Sequence, residues 1–240
     1  MFWIRVAVTV LGLSALLNAQ SLPAGTALPV GLNSTLNSKS AKAGERIEGK
    51  LMQELRLSSG VQVKSGSHLT GHVISVGHAA SGFHLTVQFD QLQNEHQVIP
   101  ITVSLRALAD SQNVFQAGVP AGPASDSEAS DEWVTKQVGG QYVFRGRGTI
   151  ESDQGQVGTW SGSGTWGRLA PAGNCPASDN NNEPQALWIF STTACGAYGF
   201  EGLQVSHAGR TSPVGQFTLE SAKDIEVRGG SGLLLVVVAK

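Results

Sequence analysis

Four residues in the C-terminal half of the sequence have types and spacing that bear on chemistry: Trp160, Trp166, Cys175 and Cys195. The two tryptophans flank Ser161-Gly162-Ser163-Gly164-Thr165, inside a Gly-rich stretch that also holds Trp133 and Tyr142. Aromatic rings exposed on a stiff β surface stack on sugar rings or seat a protein partner. The same rings can instead pack together as a small satellite core. Trp160, Trp166 and Tyr142 are therefore the candidate ligand or partner contacts. Cys175 and Cys195 are the only two cysteines. Catalysis by either thiol needs a nearby base that lowers its pKa, and a metal pair needs closer ligands with His partners; neither is evident. A structural disulfide is expected. It closes a loop of about 20 residues, which is worth roughly 3 kcal/mol by chain entropy.

Other arrangements fail on geometry. Four of the six histidines fall between His68 and His84. His68 and His72 lie four strand residues apart, roughly 13 Å, whereas zinc ligands converge to about 2 Å from one centre. Gly44-Glu45-Arg46-Ile47-Glu48-Gly49-Lys50 matches the first part of a phosphate-binding loop. Leu51 stands where a Ser or Thr would hold Mg²⁺, two carboxylates sit where phosphate must lie, and the segment leads into a strand. Neither a G-x-S-x-G elbow nor an S-x-x-K pair occurs. Asp90, Glu95, Glu151 and Asp153 read as turn acids in water. No catalytic residue, metal ligand or cofactor is expected, and the protein reads as non-enzymatic.

The N-terminus has the layout of a secretory leader. Arg5 is the one charge in a short opening region, about 12 apolar residues follow, and Ala19 offers a small residue before Gln20. A membrane-crossing helix needs roughly 20 apolar residues. Residues 1–19 are thus expected to be a signal peptide. The mature chain is expected to be exported (periplasmic, outer-membrane-associated or extracellular), with no integral membrane span after cleavage. That compartment is oxidising, which favours the disulfide. A formal net charge of −2 gives no electrostatic footprint for nucleic acid.

The elements that must position these residues are strands. Only 14% of residues are charged and 30 are Gly, a balance that favours short strands and turns over helices. Pro29 is expected at a strand end or edge. A long strand is expected over 47–57, a three-residue loop at Ser58-Ser59-Gly60, and Leu55 opposite Val63. Hairpin strands over 69–76 and 83–89 are registered with Val76 on Phe83, Ile74 on Leu85, His72 on Val87 and Thr70 on Phe89. A loop at Asn94-Glu95-His96 then sets Val87 against Val103 and Leu85 against Leu105, completing a meander. Residues 109–131 read as a linker or exposed loop, 142–169 as one or two hairpins, and 171–184 as loop again. Strands resume over 187–190, 202–205, 215–219 and 225–227. The final run, 233–238, does not alternate and reads as a strand buried on both faces.

Pro23-Ala24-Gly25-Thr26, Val63-Lys64-Ser65-Gly66-Ser67, Leu69-Thr70-Gly71 and Val227-Arg228-Gly229-Gly230-Ser231 together resemble segments of the β-barrel domain of TrbI-like proteins. Those are scaffold subunits of the type IV secretion outer-membrane complex. The resemblance covers about 100 residues at the two ends, and 109–184 has no counterpart in it. It implies a barrel fold and an envelope protein as partner.

The expected architecture is an all-β antiparallel barrel or sandwich carrying a Gly/Trp-rich insertion. Residues 20–108 and 185–240 form one discontinuous β domain, and 109–184 form the loop-rich insertion. The expected role is an envelope-associated structural or interaction module whose partner is an envelope protein. The alternative is a carbohydrate-binding module that holds a glycan on the insertion's aromatics.

Overall fold

The computed structural model describes residues 21–57, 60, 62–79, 82–119, 133–146, 148–152, 155–160, 162, 164–171, 175 and 181–239. The leader therefore lies outside the described residues, as do Ser58, Ser59, Val61 and Asp153. Strand accounts for 55% of the chain and helix for 4%, so the fold is all-β. The N-terminal part supplies β1 (Ala27–Leu32), β2 (Leu36–Asn37), β3 (Arg46–Leu51), β4 (Leu55–Arg56) and β5 (Gln62–Val63). It continues with β6 (His68–Ala79), β7 (Gly82–Asn94), β8 (Gln97–Pro100) and β9 (Val103–Ala109). Helix α1 (Ser111–Gly118) precedes β10 (Trp133–Lys136), β11 (Tyr142–Arg145), β12 (Thr149–Ser152), β13 (Gly155–Trp160), β14 (Thr165–Gly167) and β15 (Gln185–Trp188). The C-terminal part adds β16 (Gly196–Tyr198), β17 (Gln204–His207), β18 (Gln216–Ser221), β19 (Glu226–Val227) and β20 (Gly232–Val237).

A ten-stranded sheet runs β16-β9-β20-β1-β3-β6-β7-β18-β17, with β8 added to β7. It curls into a nearly closed barrel. At the seam the Leu105 amide of β9 donates to the Ala208 carbonyl just after β17, at 2.9 Å. A second sheet, β10 to β15 in sequence order, is a half-barrel. One of its ends is drawn together by a parallel bridge, Val138 to Phe190.

β20 joins the two cores. Leu233, Leu235 and Val237 face the barrel interior with Leu28, Val30, Leu69, Val87 and Phe89. Leu234 and Val236 face outward into a second core with Ala27, Ala107, Leu187, Ile189 and Phe190. Every residue of β20 is buried, as expected for a run without alternation. In β9 a bulge at Arg106 switches the pattern: Leu105 pairs Leu235 and Ala107 pairs Leu234, with Arg106 as the extra residue between them.

Several expected boundaries and registers are corrected. Leu55 does face Val63, and Gly60 adopts φ 83° in the connecting turn. The strand expected over 47–57 breaks between β3 and β4: Met52 still donates its amide to the Pro29 carbonyl of β1, and Gln53 is then drawn into the interior. Pro29 is internal to β1, not at its end. Its carbonyl faces β3 where that strand has just finished, so its missing N–H on the same flank costs no ladder bond. β6 and β7 extend to the pair Ala79 and Gly82, and bulges after Thr70 and Val73 shift the register. Val76 therefore faces Leu85, Val73 faces Val87 and Gly71 faces Phe89. His72 faces Gln88 and is half-exposed, with Nδ1 3.1 Å from the Asp90 carboxylate. Gly77 is a strand residue, since a Cβ there would strike the His84 ring that lies across it.

The expected meander also fails. The turn between Asn94 and Gln97 leads only into β8, and β9 leaves to pair with β20. β18 takes the place beside β7, setting Phe217 on Val87 and Leu219 on Leu85. Finally, the linker expected over 109–131 begins with α1. Asp110 caps it by accepting from the Asn113 amide at 2.7 Å.

Candidate functional site

A hollow of about 710 Å³ lies where the half-barrel meets the barrel. Trp160 closes β13 and Trp166 sits mid-β14, and both half-buried rings line it. The opposite wall comes from Pro23, Ala24 and Thr26 leading into β1, and from Leu55, Arg56 and Leu57 at β4.

A hydrogen-bond chain fixes the third wall. Gln185 accepts from the Ala27 amide through Oε1 at 2.8 Å and donates through Nε2 to Asn181 Oδ1 at 2.5 Å. Asn181 Oδ1 also accepts from the Glu183 amide at 3.0 Å. Gly25 is required here: it adopts φ 84°, and a Cβ on it would lie 2.8 Å from the Asn181 Cβ. Gln53, fully buried, accepts from the Trp188 amide at 2.6 Å and ties the β3–β4 connection to β15.

Among the described lining residues the hollow carries one cation, Arg56, and one carboxylate, Glu183. Arg56 Nε is 2.6 Å from Glu54 Oε1. The Arg56 hydrogen bond, with a second from Gln62, holds the Glu54 carboxyl below the usual carboxylate range. At the floor, Thr26 is 1% exposed and its hydroxyl has no hydrogen-bond partner. A buried hydroxyl left unpaired is unfavourable by about 1–3 kcal/mol, and this one is closed off within the wall and not turned to the hollow.

Behind Trp160 lies Arg145. Its guanidinium sits 5.4 Å from the Trp160 ring centre, and its Nε and Nη2 are buried without hydrogen-bond partners. Burial pushes the guanidinium down to about 10.

The structure thus brings Trp160 and Trp166 to one hollow and leaves Tyr142 out. Tyr142 pairs with Lys136 at the far edge of the half-barrel and is 54% exposed, with Lys136 Nζ 5.7 Å from its ring centre. Cys175 and Cys195 are joined in a disulfide, with their Cα atoms 5.9 Å apart. The disulfide loop is held onto β9 by Arg106, which is 2% exposed. Arg106 donates from Nε to the Ala194 carbonyl at 3.0 Å and from Nη2 to the Ala170 carbonyl at 2.5 Å.

Thr26, Arg56, Asn181, Glu183 and Gln185 were not singled out by sequence. Pro23-Ala24-Gly25-Thr26 reads there as a turn, and the Asn run as loop. Only folding juxtaposes them, since the Ala27–Gln185 bond spans 158 positions. Among the described residues no group of three His, Cys, Asp or Glu converges as metal ligands would. No described helix is long and apolar enough to cross a membrane. Compared with protein-family models, curated proteins and solved structures, the chain matches none of them.

Proposed function

We propose that this protein is an exported, envelope-associated binding module that holds a glycan in the hollow between its two sheets and performs no covalent chemistry on it. The observation that carries the reading is the convergence of Trp160 and Trp166 on one hollow of about 710 Å³. That volume lies within the range of small-ligand sites, and rings of this type stack on the apolar faces of sugars. Arg56, Asn181 and Glu183 add hydrogen-bonding groups of the kind that a polyhydroxylated ligand needs. Glycoside hydrolysis ordinarily uses two carboxylates on either side of the bond, and the described lining residues supply Glu183 alone. Export is supported by the leader-like N-terminus and by the Cys175–Cys195 disulfide, which persists in oxidising compartments.

The test is a glycan array on the intact protein, followed by calorimetry with Trp160→Ala and Trp166→Ala. Each substitution is expected to remove roughly 1–3 kcal/mol of binding, as for other aromatic stacking sites. Thermal unfolding of both variants separates lost stacking from lost folding. An array without a glycan ligand, together with recovery of an envelope protein by crosslinking, overturns the sugar reading. It would favour the assembly role that the TrbI-like segments imply.

A further inference from the structure

From the surroundings of Trp166 we infer that the ligand is an internal stretch of an acidic polysaccharide chain, with one sugar on each side of this ring. The inference rests on the glycan reading above and specifies its ligand. A second hollow, about 520 Å³, adjoins the first. The two share Thr159, Trp166 and Pro184, so Trp166 is a partition with space on both sides. A site for a single terminal sugar needs one such space. Two contiguous spaces divided by one aromatic ring suit consecutive residues of a chain.

The two spaces differ in charge. In the first, Arg56 is already paired with Glu54 and Glu183 adds a carboxylate. The second is lined by Gln156, Val157, Gly158, Gly167, Arg168 and Thr192 besides the shared residues. Arg168 is exposed and is the one charged side chain among those residues. A guanidinium fork matches a carboxylate, and uronic acids carry a carboxylate on the sugar ring. The first hollow meets a sugar face through Trp160 and Trp166 and its hydroxyls through Asn181 and Glu183. The second meets the acidic neighbour through Arg168.

The test is calorimetry of the intact protein with two oligosaccharide series, one of galacturonic acid and one of glucose, from the monosaccharide to the tetrasaccharide. Affinity for the uronate series is expected to rise at least about tenfold from monosaccharide to tetrasaccharide, the gain from one further stacked or ion-paired ring. The uronate tetrasaccharide is expected to bind about three- to fivefold tighter than the neutral one at low salt, and that margin should vanish near 1 M salt. Arg168→Gln, an exposed change that leaves the core intact, should make the two tetrasaccharides bind alike. Binding that is flat with length, or a uronate preference that survives Arg168→Gln, overturns this inference and leaves the glycan reading standing. No binding of any glycan on the array overturns that reading itself.

Discussion

Arg145 and Arg106 are both buried arginines on strands, and they are opposite cases. Arg106 sends its donors to the Ala194 carbonyl inside the disulfide loop and to the Ala170 carbonyl just before it. Arg145 has two buried nitrogens without acceptors and, among the described residues, the Trp160 ring 5.4 Å away. A desolvated cation–π contact is worth about 2 kcal/mol, less than the effective penalty of several kcal/mol for a buried ion. Replacing Arg145 with Met is therefore expected to stabilise the fold by about 1–3 kcal/mol, raising the melting temperature by roughly 2–4 °C per kcal/mol. The sign of the pH dependence follows from the direction of the shift. Burial lowers the folded-state pKa to about 10, so the charged form is disfavoured in the folded protein. The penalty is present in full below about pH 10 and fades as pH rises past it. The gain from Arg145→Met should be constant below that point and shrink above it. Denaturant unfolding across pH checks this, and a variant less stable than the parent would show that the charge is compensated. Sequence could not have separated these two arginines. A bulge aims one of them, and the burial of the other depends on three strands closing around it.

At the scale of elements, local signals were read correctly and long-range competition was not. Leu55 opposite Val63 follows from a turn with Gly at its positive-φ position. The two-faced burial of β20 follows from a run without alternation. The β6–β7 register does not follow, because bulges after Thr70 and Val73 break the period of two on which such arguments rest. β9 moved away from β7 because β18, more than 100 positions later, offers Phe217 and Leu219 to the same face. The candidate site was legible only in its tryptophans, since its polar walls come from segments that read as turn and loop. The disulfide loop provides an element-scale test. Cys175 and Cys195 tie it covalently, and Arg106 ties the Ala194 and Ala170 carbonyls to β9. Cys175→Ser with Cys195→Ser should lower stability by about 3 kcal/mol, and Arg106→Ala by about 1–3 kcal/mol for the carbonyls it leaves unpaired. Both ties hold one segment, so their combined effect should fall short of the sum by about 0.5–3 kcal/mol. Strict additivity in urea unfolding would refute the shared role.

The molecule as a whole depends on strands that come late in the chain and lie between strands that come early. β20 sits between β9 and β1, pairing with β9 along Val103–Ala109 and with β1 along Ala27–Gly31. β18 covers β7 over Phe83–Gln88, and β19 pairs with β2. Without residues 133–240 the N-terminal part would keep β1, β3, β6, β7 and β8 in one sheet, but β1 and β9 would both lose β20. Each would then present unpaired N–H and C=O groups, and the inner faces of Leu28, Val30, Val103 and Leu105 would lose Leu233, Leu235 and Val237. Fully burying side chains of this size contributes about 1.5–3 kcal/mol each, so losing three such partners removes a large share of a total stability of about 5–15 kcal/mol. Residues 21–118 expressed alone should therefore be unfolded or aggregated, as exposed apolar edges predict. A protease site inserted between Gly118 and Trp133 gives the complementary result. After cleavage the two pieces should co-elute as one body in size-exclusion chromatography, keep the parent's circular dichroism, and separate only in denaturant. Cut pieces that elute separately and stay folded would mean that the shared sheet does not hold the molecule together.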